Sequence, residues 1–86
     1  MLIRSKDGRR ILRTDYVTLV DTSITAHNPK ALEWIKCAVY ETCEEAETAM
    51  QFVWHVLAQD DLRAVIDLMW PVKDMKRIMR HNDRPR

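Results

Sequence analysis

Residues 1–11 read MLIRSKDGRRI, with Asp7-Gly8 between two short apolar-containing runs. An Asp-Gly pair supplies the two positive-φ positions that a two-residue hairpin turn needs. The chain is therefore expected to open as a β-hairpin, with arms Met1–Lys6 and Arg9–Arg13. A two-residue turn pairs Lys6 with Arg9, which sets Ile3 opposite Leu12 and Arg4 opposite Ile11. One face then holds Met1, Ile3 and Leu12, and the other Leu2 and Ile11 among Arg4, Arg9 and Arg13.

Beyond a break at Thr14-Asp15, Tyr16–Ile24 is rich in Tyr, Val, Thr, Leu and Ile and reads as one strand. Val17 and Leu19 share one side of it, and Tyr16, Val20 and Ile24 the other. Thr25–Lys30 contains His27, Asn28 and Pro29 and reads as a loop. Leu32–Tyr40 is a further strand candidate, although Ala31–Trp34 could extend the loop. It sets Ile35, Cys37 and Val39 against Trp34, Ala38 and Tyr40. A sheet with water on one side alternates cleanly, and these strands do not. An apolar cover over part of the second face is therefore expected.

Thr42-Cys43-Glu44-Glu45 has the form Thr-x-x-Glu, a capping box. Ala46, Ala49, Met50, Val53 and Leu57 follow at helical spacing, so a helix is predicted over Cys43–Gln59. Asp60-Asp61 then reads as a second N-cap before Leu62, Val65, Ile66 and Met69. Met50, Trp54, Ala58, Leu62, Val65 and Met69 also form one continuous stripe, so residues 43–70 are one helix or two. Pro71 ends or kinks what precedes it and can open a last helix with Val72, Met75, Ile78 and Met79 on its apolar face. The expected fold is α+β in a single domain. Residues 1–41 form an antiparallel sheet of three to four strands, 42–59 the main helix, 60–80 a helical extension and 81–86 a frayed tail.

The residues Ser5-Lys6-Asp7-Gly8-Arg9-Arg10-Ile11, Thr14-Asp15-Tyr16-Val17, Val39-Tyr40-Glu41-Thr42 and Glu44-Glu45-Ala46 carry a resemblance. The chain resembles small uncharacterised hairpin-sheet-plus-helix proteins of Gram-positive bacteria and their mobile elements. The resemblance covers about residues 1–59, rests on turns and a cap, and implies a fold without implying catalytic or binding residues. The Asp21–Lys30 loop and the extension after Asp60 depart from the group, away from a monomeric one-helix version of that fold.

Composition narrows the function classes. The 86 residues bury roughly 60–65% of their unfolded surface. No run approaches the roughly 18 apolar residues of a membrane span, and Arg4, Lys6, Asp7, Arg9 and Arg10 interrupt any apolar leader. Cys37 and Cys43 are too few for a disulfide scaffold, so reduced thiols and a cytoplasmic location are expected. Cys37, Cys43 and His55 lack the paired spacing of a zinc site. Glu44, Glu45 and Glu47 sit where capping and the helix dipole want them. A single glycine excludes a glycine-rich phosphate loop. No enzyme activity, metal or cofactor is expected.

Charge is segregated. Residues 1–13 carry net +4, residues 14–72 net −7 and residues 73–86 net +4. The basic ends either neutralise the acidic middle or form a patch for a partner. Lys73, Lys76, Arg77 and Arg80 fall largely on one side of the last helix, a pattern that suits phosphate or an acidic protein surface. No aromatic residue interleaves with them. Trp34 and Trp54 are expected in the core, and Trp70 beside Pro71 is expected to be partly exposed.

The expected function is a non-enzymatic protein-interaction module, an adaptor or inhibitor of bacterial or phage origin. An inhibitor of a host defence nuclease, of the anti-CRISPR type, falls within that class. The alternative is a small nucleic-acid-binding protein using the basic C-terminal helix. Expected partner-binding residues are Arg4, Arg9, Arg13, Trp70, Lys73, Lys76, Arg77 and Arg80. Homodimerisation is expected from the apolar content on both sides of the strands.

Overall fold

The computed structural model describes residues 1–58 and 65–82. The chain runs β1 (Leu2–Arg4), β2 (Ile11–Arg13), β3 (Tyr16–Val20), β4 (Ser23–Asn28), β5 (Glu33–Val39), α1 (Cys43–Ala58), β6 (Val65–Asp67) and α2 (Val72–Asn82). The class is α+β, but the strands form two three-stranded sheets, ordered β2-β1-β6 and β3-β4-β5, where one sheet of three to four strands was expected.

The opening hairpin has the register its sequence implies, with Ile3 opposite Leu12 and Arg4 opposite Ile11. Its turn is different. Of the Asp-Gly pair, only Gly8 takes a positive φ, 74°. The Ser5 N–H donates to the Arg10 carbonyl at 3.0 Å, and the Gly8 N–H returns to the Ser5 carbonyl at 2.9 Å. Asp7 accepts from the Ser5 hydroxyl and the Arg9 N–H, and these bonds hold its carboxyl below the usual carboxylate range. An Asp side chain that bonds the backbone two residues on builds its own turn. The ladder therefore stops at Arg4, and Lys6 does not pair with Arg9. The Lys6 N–H donates instead to the Cys37 carbonyl at 2.9 Å, and Nζ reaches the Val39 carbonyl at 3.2 Å. Nζ also stands 4.9 Å from the centroid of the Tyr40 ring. The hairpin loop thus meets the C-terminal end of β5 at its outer edge and joins the two sheets.

Tyr16–Ile24 is two strands, not one. The chain reverses at Asp21-Thr22, with Asp21 at φ 53°. β3 pairs with β4 from Tyr16↔His27 to Val20↔Ser23. Of the segment Thr25–Lys30 expected as a loop, Thr25–Asn28 belongs to the central strand β4 and only Pro29-Lys30 is a turn. The reversal inverts the face of Ile24, which is fully buried although it shares sequence parity with exposed Tyr16 and Val20. The β4–β5 ladder shifts between Ile24 and Thr25, leaving Cys37 as the extra residue between Lys36 and Ala38. A bulge lets two consecutive residues face inward. Cys37 and Ala38 are accordingly both buried, Tyr40 follows them inside, and Trp34 and Lys36 stay outside.

α1 begins at the expected cap. The Glu45 N–H donates to Thr42 Oγ1 at 3.1 Å, and that hydroxyl donates to Glu45 Oε1 at 3.3 Å. Thr42→Ala is expected to cost about 0.5–2 kcal/mol. Superimposable urea unfolding curves for the two proteins would contradict that role. Ala46, Ala49, Phe52 and Val53 enter the core, and the helix lies against β3 and β4. Gln59 and the Asp60-Asp61 cap candidate, with Leu62, lie outside the described residues.

Val65–Asp67 is neither the second helix nor the continuation of the first that its spacing suggests. It is a strand parallel to β1, with Ile3 beside Ile66. The Leu68 N–H continues the pairing to the Arg4 carbonyl at 3.1 Å. Ile3, Ile66 and Leu68 are buried together, while Met69 lies outside. α2 starts just after Pro71, whose carbonyl accepts from the Asp74 and Met75 N–H groups at 2.9 and 3.0 Å. It packs on α1 through fully buried Met75, with Val72, Ile78 and Met79 beside it. α2 extends through Asn82 into the segment expected to fray, and 83–86 lie outside the described residues. No helix among the described residues is long and apolar enough to cross a membrane.

Candidate interaction surface

One face of the β3-β4-β5 sheet packs on α1, and the other is open. Residues 16, 18 and 20 of β3, 25 and 27 of β4, and 34 and 36 of β5 alternate onto the open face. Tyr16, His27 and Trp34 form one lateral row across three strands, because Tyr16 pairs with His27 and His27 with Trp34. The Tyr16 and Trp34 rings meet edge to face, with centroids 5.8 Å apart and planes at 86°. Trp34 also meets His27, with ring centroids 5.1 Å apart and planes tilted at 50°. Edge-to-face pairs add about 0.5–1.5 kcal/mol beyond area burial, so the row is pre-ordered.

His27 Nδ1 lies 2.9 Å from Asp15 Oδ1, and the bond holds the Asp15 carboxyl below its ordinary range. Thr14, itself buried, anchors the base of the row by donating its hydroxyl to the His27 carbonyl at 2.7 Å. Toward the Asp21 turn, the face opens into a shallow depression of about 510 Å³ lined by Thr18, Val20, Ser23, Thr25, Trp34 and Lys36.

Tyr16 is 59% exposed, Val20 52% and Trp34 55%. The apolar cover expected over this face is therefore absent among the described residues. Leu32, in the β4–β5 turn, is 79% exposed and takes φ 52°. A leucine in that conformation costs about 1–2 kcal/mol and gains nothing by burial. Trp34 and Trp54 are both exposed, which corrects their expected place in the core. The strand alternation was the available signal for Trp34. The Asp21 turn and the Cys37 bulge hid it.

The basic residues are placed elsewhere. Arg4 sits in the central strand of the first sheet, 3.5 Å from Asp67 Oδ2, with Nη1 3.6 Å from the Met69 sulfur. It is engaged within the chain. Arg4 and half-exposed Trp70 line one crevice of about 220 Å³ with Asp67, Met69, Pro71 and Asp74. Arg9 and Arg13 are exposed on the opening hairpin. Lys73, Lys76, Arg77 and Arg80 are exposed on α2, away from its buried Met75.

Cys37 is buried, and burial pushes its thiol up. Cys43 is exposed in the first turn of α1. Among the described residues no group of three or more His, Cys, Asp or Glu side chains is arranged to hold a metal ion. The open sheet face offers exposed aromatic area beside the polar side chains of Thr18, Thr25 and Lys36. No family model matches this chain, and no curated protein or solved structure is significantly similar to it.

Proposed function

We propose that the protein is a non-enzymatic protein-interaction module, an adaptor or inhibitor of bacterial or phage origin. It meets its partner through the open face of β3-β4-β5. The observation that carries this reading is the row of Tyr16, His27 and Trp34, with Tyr16 and Trp34 exposed, near strained Leu32. Exposed aromatic side chains with few rotamers lose little entropy on binding and supply the large contact areas of interface hot spots. An inhibitor of a host defence nuclease is the narrower form of the same reading.

The second reading assigns the contact to nucleic acid, through Arg9, Arg13, Trp70 and the basic side of α2. Four exposed cations on that helix favour it. The aromatic face argues the other way, since Asp15, Asp21 and Glu33 flank it and outweigh the one cation on it, Lys36.

The two are separated with immobilised full-length protein and a lysate of a Gram-positive host. A specific partner is expected to be retained by a Lys76→Ala, Arg77→Ala, Arg80→Ala triple variant. Trp34→Ala is expected to weaken it by about 2 kcal/mol, roughly thirtyfold. Binding to duplex DNA that falls steeply with salt and disappears in the triple variant would establish the second reading instead. Equal capture by all three proteins would remove both surfaces.

A further inference from the structure

We infer that β3 is a self-association edge, and that two copies of this chain pair antiparallel through Tyr16–Val20 into one six-stranded sheet ordered β5-β4-β3-β3-β4-β5. The inference does not depend on the partner reading.

An unpaired strand edge invites another strand, and monomeric proteins blunt such edges with charges, prolines, bulges or cover. At the opposite edge of this sheet the C-terminal end of β5 is occupied, because Lys6 of the hairpin loop bonds the carbonyls of Cys37 and Val39. The outer strands of the first sheet, β2 and β6, are three residues long and end in Arg13 and Asp67. β3 has none of these protections. Its five residues, Tyr-Val-Thr-Leu-Val, include no charge and no proline, and its register with β4 is unbroken. Among the described residues nothing pairs with its other side.

The hydrogen-bond parity of β3 is right for a symmetric pair. Asp21-Thr22 is a two-residue turn closed by Val20↔Ser23. The N–H and C=O groups of residues 16, 18 and 20 therefore point at β4, and those of Val17 and Leu19 point outward. A two-fold axis at Thr18 brings Val17 of each copy against Leu19 of the other as a hydrogen-bonded pair. On the open face the same axis sets Tyr16 opposite the second copy's Val20 and Thr18 opposite the second copy's Thr18. Aromatic–β-branched and Thr–Thr pairs are among the favourable cross-strand combinations.

Stable dimers bury about 1,200–2,000 Å² in total, more than a five-residue ladder supplies. The helix side adds area. α1 lies under β3, and a groove of about 220 Å³ between them is lined by Met1, Tyr16, Val17, Met50, exposed Trp54 and Leu57. Pairing at β3 brings the two α1 helices alongside each other. In this register Asp15 approaches the second copy's Asp21, a like-charge contact. Salt, by screening it, is expected to strengthen the association, the reverse of its effect on nucleic-acid binding.

Light scattering on the full chain is expected to show mass rising with concentration from 10.2 kDa toward twice that value. Thr18→Lys places two ammonium groups face to face at the axis while leaving the bonds to β4 intact. It is expected to stay at the single-chain mass with unchanged far-ultraviolet circular dichroism. Thr18→Cys in a Cys43→Ser background is expected to cross-link on mild oxidation, because residue 18 faces itself. Val20→Cys in that background faces Tyr16 and is expected not to do so. A wild-type protein that keeps the single-chain mass at millimolar concentration overturns the inference. So does a dimer that tolerates Thr18→Lys, or one that cross-links through Val20→Cys in preference to Thr18→Cys.

Discussion

Leu68→Ala is expected to lower folding stability by about 2–5 kcal/mol, and Ile66→Ala by a similar amount, measured by urea denaturation. Both side chains are buried in the core cluster that also holds Ile3 and Met75. Truncation there loses transfer free energy and leaves a cavity, because β1 is hydrogen-bonded on both sides and cannot close around the gap. Val65→Ala and Met69→Ala are expected to cost less than about 1 kcal/mol, since both side chains are exposed. The Leu68, Val65 and Met69 variants discriminate between the structures this segment could adopt, since Ile66 is buried in both. A helical stripe through Leu62, Val65, Ile66 and Met69 buries Val65 and Met69 and exposes Leu68. A strand parallel to β1 that runs on into Leu68 reverses that order. Large losses at Val65 and Met69 with a small one at Leu68 would refute β6.

Tyr40→Phe is expected to stabilise the protein by about 1 kcal/mol at neutral pH and to remove a steep loss of stability above pH 10. Tyr40 is buried, and its Oη has no hydrogen-bond partner among the described residues. Burial, aided by the charge of Glu45, pushes its phenol up to about 12. Below pH 10 both the folded and the unfolded chain carry the phenolic proton, and the contribution is constant. Between about pH 10 and 12 the unfolded chain releases the proton and the folded chain keeps it, so rising pH favours unfolding. The loss approaches a magnitude on the order of 2–3 kcal/mol at the upper end. Denaturation midpoints at about pH 8, 10 and 11.5 for both proteins test the sign and the source. Midpoints that fall in parallel would show that other groups carry the alkaline transition.

The elements legible in the sequence are those whose determinants are local. Asp7-Gly8 centres the opening hairpin, and the β1–β2 register follows from that centre even though the turn uses a different geometry. Thr42 and Glu45 mark the start of α1 within one turn, and the alanines and Val53 mark its inner face. Pro71 marks the start of α2 because its ring suits the first helical turn. The β3–β4 turn was illegible for a related reason. Asp21-Thr22 contains no glycine or asparagine, so a strand rich in β-formers continues through it on paper while Asp21 accepts a left-handed φ in the molecule.

The sequence by itself determined the class of the fold, the first hairpin register, the main helix and the segregation of charge into basic ends and an acidic middle. It determined these because turn chemistry, capping and composition act over a few residues. The tertiary structure alone decided the rest. Val65–Asp67 is a strand because β1 offers an unpaired edge some 60 positions earlier in the chain, a partner that no local period encodes. Which aromatics face outward was decided by one bulge at Cys37 and one reversal at Asp21, each of which inverts the side-chain parity of everything beyond it. That inversion buries Ile24, Ala38 and Tyr40 and leaves Tyr16, His27 and Trp34 as one row on an open sheet face.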